Sequence, residues 1–547
     1  MNRRNVLKAA VAAGALVSPA NAGRWLAGAQ ARRPRFGDLA WPSEAQWREL
    51  NAAVSNRLIR PVSPLRQCAG STSRTNCEAL FRNLANPYLI RDDPGLTQTL
   101  GWVDGWVSNP SSFAVAAQSA ADVAAAVRFA KRHNLRLAVK GGGHSYQGTS
   151  NAPDSLLIWT RNLTNIRMHQ DFRPQSCGQS EGPAVSLGAG LVWQEAYDAV
   201  TTRGGRYVQG GGCSTVGVAG LISSGGFGTY SKGFGTAASH MLEAEVVTAD
   251  GEIRTVNRCR DPDLFWALKG GGGSSFGVIT RVTLRTHALP TEVGVVNADL
   301  KAANPQAFAE LIDLAMDFCR RRLLTPHWGE QIIFGPQNVM QIRTEFQGLS
   351  RAEAATVWDE FFDAVRSRQQ VISLSPITVV STLARKGWDP EFLRTIPDTI
   401  LSDTRPGSPA GNIYWAGDAG QVAQFIHGFA SVWLPAVLLE ARARARLVSA
   451  LAQAASLWKV SLHLNKGLAG ATRQVTDAAR DTATNPAVVD AFALAILGAE
   501  ETSAYPGIRG HEPKLELARD QAARVRAAAR PIRELVAAPA SYLSESD

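Results

Sequence analysis

Apolar and polar positions follow each other along the chain in patterns that predict both strands and helices. Residues 113–118 and 135–139 are short apolar runs typical of buried strands. Between them, residues 120–133 place apolar side chains at helical spacing on one face. Residues 242–256 alternate on both sides of Asp250-Gly251, a pair that favours a tight hairpin turn. Strand–helix–strand units together with hairpins predict a fold of the α+β class.

Changes in this pattern divide the chain into five segments. A weakly apolar N-terminal segment is followed by a Pro-, Arg-, Ser- and Asn-rich lead-in with one predicted helix near 43–58. Next come two α+β subdomains with a ligand expected between them, then an antiparallel sheet covered by helices. A last helix leads into the C-terminal residues. The five segments are 1–31, 32–94, 95–289, 290–510 and 511–547.

The first 31 residues resemble a targeting signal. Arg3 and Arg4 precede a short apolar run from residue 9 to residue 17, and small residues near Ala22 or Ala31 suit a cleavage site. This pattern is typical of a twin-arginine signal and predicts a periplasmic or secreted protein. The alternative is an ordinary secretory signal. Because the run is shorter than the ~20 residues of a spanning helix, we expect no membrane span.

Charge and cysteine content narrow the function classes. The 57 basic and 47 acidic residues leave a net charge of +10, but the basic residues are scattered or lie on helical faces. Without a basic patch interleaved with aromatic residues, nucleic-acid binding is not expected. Six cysteines agree with an oxidising destination, and Cys68 and Cys77, nine residues apart in a Ser/Thr/Asn-rich loop, are the predicted disulfide.

Two glycine runs each end in a nucleophilic side chain. Gly141–Gly143 are followed by His144 and Ser145, and Gly210–Gly212 are followed by Cys213. Three glycines in a row let the backbone approach a bulky anionic ligand, with N–H groups free to bind phosphate. Neither run has the G-x-G-x-x-G spacing of a dinucleotide site, so NAD is not expected. An imidazole and a thiol beside such loops suggest a flavin attached covalently at two points.

Both runs, with residues 215–220, 224–228 and 263–280, resemble the berberine-bridge-enzyme-like branch of the vanillyl-alcohol oxidase flavoproteins. The resemblance extends from about Cys68 to Leu289. It implies a PCMH-type FAD-binding domain over 95–289 and a substrate domain over 290–510. It also implies FAD bonded through its 8α carbon to His144 and through C6 to Cys213. The other FAD-binding residues it implies are Gly141, Gly142, Gly143, Ser145, Gly212, Thr215, Val216, Gly217, Gly220, Gly225 and Val278.

The same resemblance gives candidates for catalysis near the C-terminus. Residues 541–545 are similar to a segment that returns to the flavin domain in the family, so that Tyr542 would assist deprotonation of substrate and Glu545 would act as base. Ser544 stands where the family has Asn. The alternative is that Tyr542 only anchors the tail. His463, Asn465 and Lys466 are expected to have structural roles at the core or rim of the substrate domain.

Two departures from the family bear on these expectations. Many relatives have His where this chain has Leu221, and leucine cannot donate a hydrogen bond to the flavin. Relatives usually continue some forty residues past Asp547, so we expect either a truncated or frame-shifted chain or a tail supplied by a partner.

The sequence therefore predicts an exported FAD-linked oxidase. We expect it to oxidise an alcohol, sugar or amine-type C–H in a small-molecule substrate and to reduce O2 to hydrogen peroxide, with no metal required. One alternative keeps the flavin but passes electrons to a quinone or protein acceptor. A second alternative is a non-catalytic flavin-binding subunit. Peroxide formation during turnover distinguishes the oxidase from the enzyme with a quinone or protein acceptor. A bound flavin that no substrate reduces would indicate the non-catalytic subunit.

Overall fold

The structure is a computed structural model that describes residues 32–69, 74–273 and 275–543. The predicted signal peptide and Glu545 lie outside the described residues. The helices predicted at 120–133 and in the C-terminal segment are present. The α-helices are Glu44–Ala53, Pro64–Ala69, Arg74–Asn83, Pro87–Asp92, Ala120–Arg132, Trp193–Tyr197, Val218–Ser223, Ser231–Phe234, Pro262–Leu268, Pro305–Phe318, Arg351–Arg366, Pro390–Leu393, Ala441–Leu457, Arg473–Arg480, Ala487–Asp490 and Leu515–Arg533.

A four-stranded sheet forms the first subdomain of the predicted flavin domain. Its strand order is Leu58–Ile59, Phe113–Ala116, Ser155–Trp159 and Arg136–Lys140. The last three strands run parallel, and the helix Ala120–Arg132 makes the crossover between two of them. Ser119 and Asp122 form a capping box that begins this helix. Phe129 on the helix packs with Trp47 and Phe113, which joins the lead-in to the sheet.

A five-stranded antiparallel sheet forms the second subdomain. Its order is Ile253–Asn257, Met241–Val247, Val278–Arg285, Ala184–Gly188 and Ile166–His169. The predicted hairpin is confirmed: Val247 pairs with Ile253, and Gly251 has the positive φ of 86° that the turn requires. The disulfide Cys177–Cys259 joins the loop before Ala184–Gly188 to the end of the hairpin, with the two Cα atoms 5.6 Å apart.

A ten-stranded sheet forms the C-terminal part of the fold. Its order is Ile372–Leu374, Glu292–Ala302, Val339–Gln347, Trp328–Gly335, Val460–His463, Ala491–Thr502, Gln424–Pro435, Thr99–Trp102 and Trp106–Val107, with Thr378–Leu383 also pairing to Glu292–Ala302. Val296 and Ala298 pack into a core with the long helices, whereas Val295 and Asn297 on the other face line a cavity. This alternation confirms a sheet covered by helices on one face only.

The N-terminal region differs from the sequence expectation in two respects. Three further helices occupy the lead-in between residues 64 and 92, where each is too short to show a clear period. The strand Thr99–Trp102, assigned from sequence to the flavin domain, pairs in parallel with Gln424–Pro435 of the large sheet. The chain therefore contributes to the large sheet after the first strand of the first subdomain, Leu58–Ile59, and before its other three strands.

The predicted disulfide Cys68–Cys77 is confirmed. Cys177 and Cys259 form a second one across 82 residues, a separation from which no pairing could be read. Cys319 is buried in the core of the large sheet and stands outside both disulfides, as does Cys213.

Candidate active site

A cavity of about 1660 Å³ lies where the two subdomain sheets meet the large sheet. One wall carries the His144 and Cys213 loops, and the facing wall is the helix-free face of the large sheet, including Asn297, Gln331 and Ile333. Pockets for drug-sized ligands measure about 300–1,000 Å³, so this volume can hold a large cofactor together with a substrate.

The His144 loop begins at a buried lysine. Lys140 ends the strand Arg136–Lys140, and its Nζ donates hydrogen bonds to the carbonyl oxygens of Ile90 at 2.7 Å, Asp93 at 2.6 Å and Leu96 at 2.7 Å. These three bonds satisfy all three ammonium donors in a fully buried position. The lead-in is therefore fixed against the start of the glycine run.

The first glycine run packs against Gly217, four residues after Cys213. A Cβ added to Gly142 would lie 2.7 Å from the backbone nitrogen of Gly217, and one added to Gly217 would lie 2.8 Å from that of Gly142. Next to this contact, Nε2 of His144 lies 3.2 Å from Oγ1 of Thr215. Enclosure of the imidazole lowers the pKa of His144 to about 4, so the ring is neutral at physiological pH.

The Cys213 loop is held by hydrogen bonds to its carbonyl oxygens. The hydroxyl of Tyr197 donates to the Gly211 oxygen at 2.7 Å, and Nε1 of Trp415 donates to the Gly212 oxygen at 3.1 Å. The thiol of Cys213 donates a hydrogen bond to the carboxylate of Asp418. Cys213 is thus presented to the cavity between groups from both halves of the fold.

Most of the residues predicted to bind the cofactor line this one cavity. Thr215 instead contacts His144 from behind, and Gly225 packs against the side chain of Thr484, where an added Cβ would lie 3.1 Å from it. Leu221, which stands in place of a family histidine, lies on the cavity wall. The predicted residues on the wall are Gly141, Gly142, Gly143, His144, Ser145, Gly212, Cys213, Val216, Gly217, Gly220 and Val278.

The C-terminal segment returns to the cavity. The Tyr542 N–H donates to Oγ of Ser431 at 2.9 Å, and the Gln147 side chain, close to His144, donates to the Leu543 carbonyl oxygen. The Tyr542 side chain lines the cavity, with Nζ of Lys466 5.4 Å from the ring centroid. The segment is therefore anchored and also presents its phenol to the site, so its predicted catalytic role remains a prediction.

Two half-buried glutamates of the large sheet, Glu330 and Glu345, face the same cavity, and the sequence pattern did not indicate them. Glu330 accepts hydrogen bonds from Oγ1 of Thr229 at 2.7 Å and Nδ2 of Asn465 at 3.1 Å, and burial raises its pKa. Burial, with Glu330 nearby, also raises the pKa of Glu345 to about 8. In sequence, both occupy polar positions of alternating strands, which would ordinarily face solvent.

Other polar residues of the sheet were expected to be structural. His463, Asn465 and Lys466 all line the cavity, and burial holds the pKa of His463 well below its usual range.

Of the helices in the described ranges, none is both long enough and apolar enough to cross a lipid bilayer. In the same ranges, no cluster of His, Cys, Asp or Glu side chains could hold a metal ion.

The residues present fit a flavin nucleotide. Gly220 lines the cavity, and a Cβ added to it would meet no atom of the described residues within 4 Å, so the wall there leaves room for a flat ring. The neutral imidazole of His144 and the thiol of Cys213 are both nucleophiles that face this space. The glycine-lined cleft near the first two sheets suits the phosphates.

Sequence comparison supports this assignment. Residues 111–257 match the model of the FAD binding domain family. FAD-linked oxidoreductase easE of Trichophyton verrucosum is 34% identical over 409 residues, which cover 69% of this chain and 65% of the relative. FAD-linked oxidoreductase asqF of Emericella nidulans is 32% identical over 416 residues, covering 70% of this chain and 72% of the relative. Among the first relatives, the matched part spans between 50% and 65% of their length.

Solved structures share the fold. The VAO-type flavoprotein MtVAO615 of Myceliophthora thermophila C1 superposes with a TM-score of 0.75 at 24% identity, covering 94% of this chain and 90% of that one. BBE-like 1 of Physcomitrella patens gives a TM-score of 0.64 at 16% identity, covering 91% of each chain. Xylooligosaccharide oxidase of Myceliophthora thermophila C1 gives a TM-score of 0.62 at 17% identity, covering 91% of this chain and 90% of that one. With these matches, the chain belongs to the FAD-linked oxidoreductases, and its fold is the one shared by the VAO-type and BBE-like flavoproteins.

Proposed function

We propose that this chain is an oxidase that carries FAD on His144 and Cys213, oxidises a small-molecule alcohol, sugar or amine, and passes the electrons to dioxygen. The observation that supports this most is one cavity with both nucleophiles on one wall and polar sheet residues with Tyr542 on the other. A substrate in that space would lie between the flavin and groups able to accept a proton.

Attachment through His144 is supported by the state of its ring. The imidazole is neutral, and Thr215 engages Nε2, which leaves Nδ1 as the nitrogen for the bond to the flavin 8α carbon. Bound in this way, FAD supplies a two-electron acceptor. The chain supplies the position: the Gly142–Gly217 contact keeps both attachment loops at a fixed separation.

Removal of hydride from a C–OH carbon also requires loss of the hydroxyl proton. Tyr542 is the proposed acceptor, because its phenol lines the cavity and Nζ of Lys466 lies 5.4 Å from the centroid of its ring. Glu330 is engaged by Thr229 and Asn465 and is better suited to orienting Asn465.

The sheet face favours substrates rich in hydroxyl groups. Gln331, Ser461 and His463 offer polar atoms side by side along neighbouring strands, and Ser461 Oγ already donates to Gln331 Oε1 at 2.7 Å. The structural neighbour that is a xylooligosaccharide oxidase was solved in complex with xylobiose, which agrees with a polyhydroxylated ligand on this fold.

The test is an intact mass of purified protein under denaturing conditions, followed by turnover with a panel of alcohols, oligosaccharides and amines. The expected result is the added mass of one FAD, mapped to the His144 and Cys213 peptides, and one hydrogen peroxide per substrate oxidised. Turnover with a quinone but without peroxide would replace the oxidase by a dehydrogenase. A bound flavin that no substrate reduces would instead favour a binding subunit.

We also propose export to an oxidising compartment through the predicted twin-arginine signal. The two disulfides, Cys68–Cys77 and Cys177–Cys259, support this, because disulfides persist mainly outside the reducing cytosol. N-terminal sequencing of the mature protein is the test, with cleavage near Ala22 or Ala31 expected.

A further inference from the structure

One short turn of the large-sheet half contacts both predicted attachment loops. The turn Ala416–Gln421 follows Trp415, whose Nε1 donates to the Gly212 carbonyl oxygen at 3.1 Å. At the other end of the turn, Oε1 of Gln421 accepts a hydrogen bond from the Tyr146 hydroxyl at 3.1 Å, two residues after His144. Both loops are thereby joined to a turn whose central acidic residue is Asp418.

Asp418 is the carboxylate in contact with the Cys213 thiol. It lines the cavity and accepts a hydrogen bond from Cys213. Its Oδ2 is shielded from solvent and has no hydrogen-bond partner among the described residues. Burial raises the pKa of Asp418 to about 6, so at neutral pH the group is ionised and yet more basic than an ordinary aspartate.

An unassisted thiol is a weak nucleophile at neutral pH, because only the thiolate reacts and a free cysteine has a pKa near 8.5. The other acid–base groups near Cys213 are already engaged. Glu330, beside Gly212, accepts hydrogen bonds from Thr229 and Asn465. His144 is neutral and is hydrogen-bonded to Thr215.

We propose that Asp418 is the base that takes the Cys213 proton when Cys213 Sγ bonds to C6 of the flavin. The inference rests on the proposed attachment at Cys213. In the reaction, the S–H bond of Cys213 and the C6–H bond of the flavin break, and one bond forms between Sγ and C6. The thiol proton passes to Asp418, and the C6 hydrogen leaves as a second proton. The two electrons released pass through the flavin to dioxygen, which takes up two protons to give hydrogen peroxide.

The experiment compares the full-length wild-type chain with Asp418→Asn, and with Glu330→Gln as a matched loss of a half-buried carboxylate on the same cavity. Each protein is denatured, weighed intact and mapped for flavin on the His144 and Cys213 peptides. In Asp418→Asn we expect flavin on His144 as in the wild type and at least a tenfold smaller fraction joined to Cys213. We expect Glu330→Gln to form both bonds.

A second variant separates proton transfer from folding. In Asp418→Ala, added formate can enter the vacated space and serve as the base, so the Cys213 bond should form faster with formate than with chloride at the same ionic strength. A Cys213 bond formed normally in Asp418→Asn would overturn this inference alone. Loss of flavin from both residues without formate rescue would overturn it too, because Asp418 would then serve the fold. Absence of the Cys213 bond in the wild type would instead overturn the proposed attachment itself.

Discussion

His144 Nε2 lies 3.2 Å from Thr215 Oγ1, although the two residues are 71 positions apart in the chain. This contact and the packing of Gly142 on Gly217 bring the two predicted attachment loops together in the protein itself. The two loops are therefore already in contact in the polypeptide itself. Such preorganisation leaves less to be ordered when the cofactor binds.

The glycine contact makes a first prediction. Gly142→Ala places a methyl group 2.7 Å from the Gly217 nitrogen, which forces the two backbones apart. We expect a loss of about 1–3 kcal/mol in the free energy of unfolding and a smaller fraction of flavin-bearing protein. Urea unfolding and the absorbance ratio of flavin to protein are the measurements.

Gly220→Ala is the control, because the added methyl group meets no described atom within 4 Å. It should leave the unfolding of the flavin-free protein unchanged or slightly stabilised. Equal destabilisation by both substitutions would contradict the role given to the Gly142–Gly217 contact.

Tyr542 gives a second prediction. Tyr542→Phe keeps the ring against Phe227, at 5.2 Å between centroids, but removes the proposed proton acceptor. We expect kcat to fall about 10²–10⁴-fold while both flavin bonds form normally. Stopped-flow reduction of the bound flavin measures the effect, and a reduction rate equal to that of the wild type would leave Tyr542 as an anchor of the tail only.

Glu345 gives a prediction about pH. Burial raises the pKa of this carboxyl to about 8, so the folded chain holds its proton more tightly than the unfolded chain, where a glutamate has a pKa near 4.3. The stability linked to this group is fully present below the unfolded pKa and is lost as the pH rises toward 8. We therefore expect Glu345→Gln to unfold at a higher temperature than the wild type at pH 8 and at a similar temperature at pH 4.

Thermal unfolding of the flavin-free proteins at both pH values is the measurement. Glu310→Gln, on the exposed face of the helix Pro305–Phe318, controls for the loss of one negative charge. A gain in stability that is the same at pH 4 and pH 8 would show that Glu345 acts through packing and not through its proton.

The two disulfides are predicted to contribute unequally to the free energy of unfolding. Cys177–Cys259 closes 82 residues and Cys68–Cys77 closes nine, and a longer closed loop removes more entropy from the unfolded chain. Replacing the first pair by serine should cost roughly 2–5 kcal/mol, and replacing the second pair should cost less. Urea unfolding of the two double variants tests the order, and a reversed order would point to native-state contacts as the larger effect.

The sequence alone determined those features that depend on neighbours along the chain. The helix Ala120–Arg132, the hairpin at Asp250-Gly251 and the disulfide Cys68–Cys77 are all present as predicted. In each case, backbone preference or a short loop restricts the alternatives to one local structure. The glycine runs before His144 and Cys213 were equally visible, and with them the family.

Only the tertiary structure decided which distant side chains meet at the cavity. Trp415 and Gly212 are 203 residues apart, and the turn that brings Asp418 to Cys213 depends on that contact. Glu330 and Glu345 occupy polar positions of alternating strands, and the pattern cannot tell a face that meets solvent from one that meets a second domain. The strand Thr99–Trp102 likewise found its partner in Gln424–Pro435 through long-range pairing. Such contacts are chosen by the packing of whole sheets against each other, which no local pattern encodes.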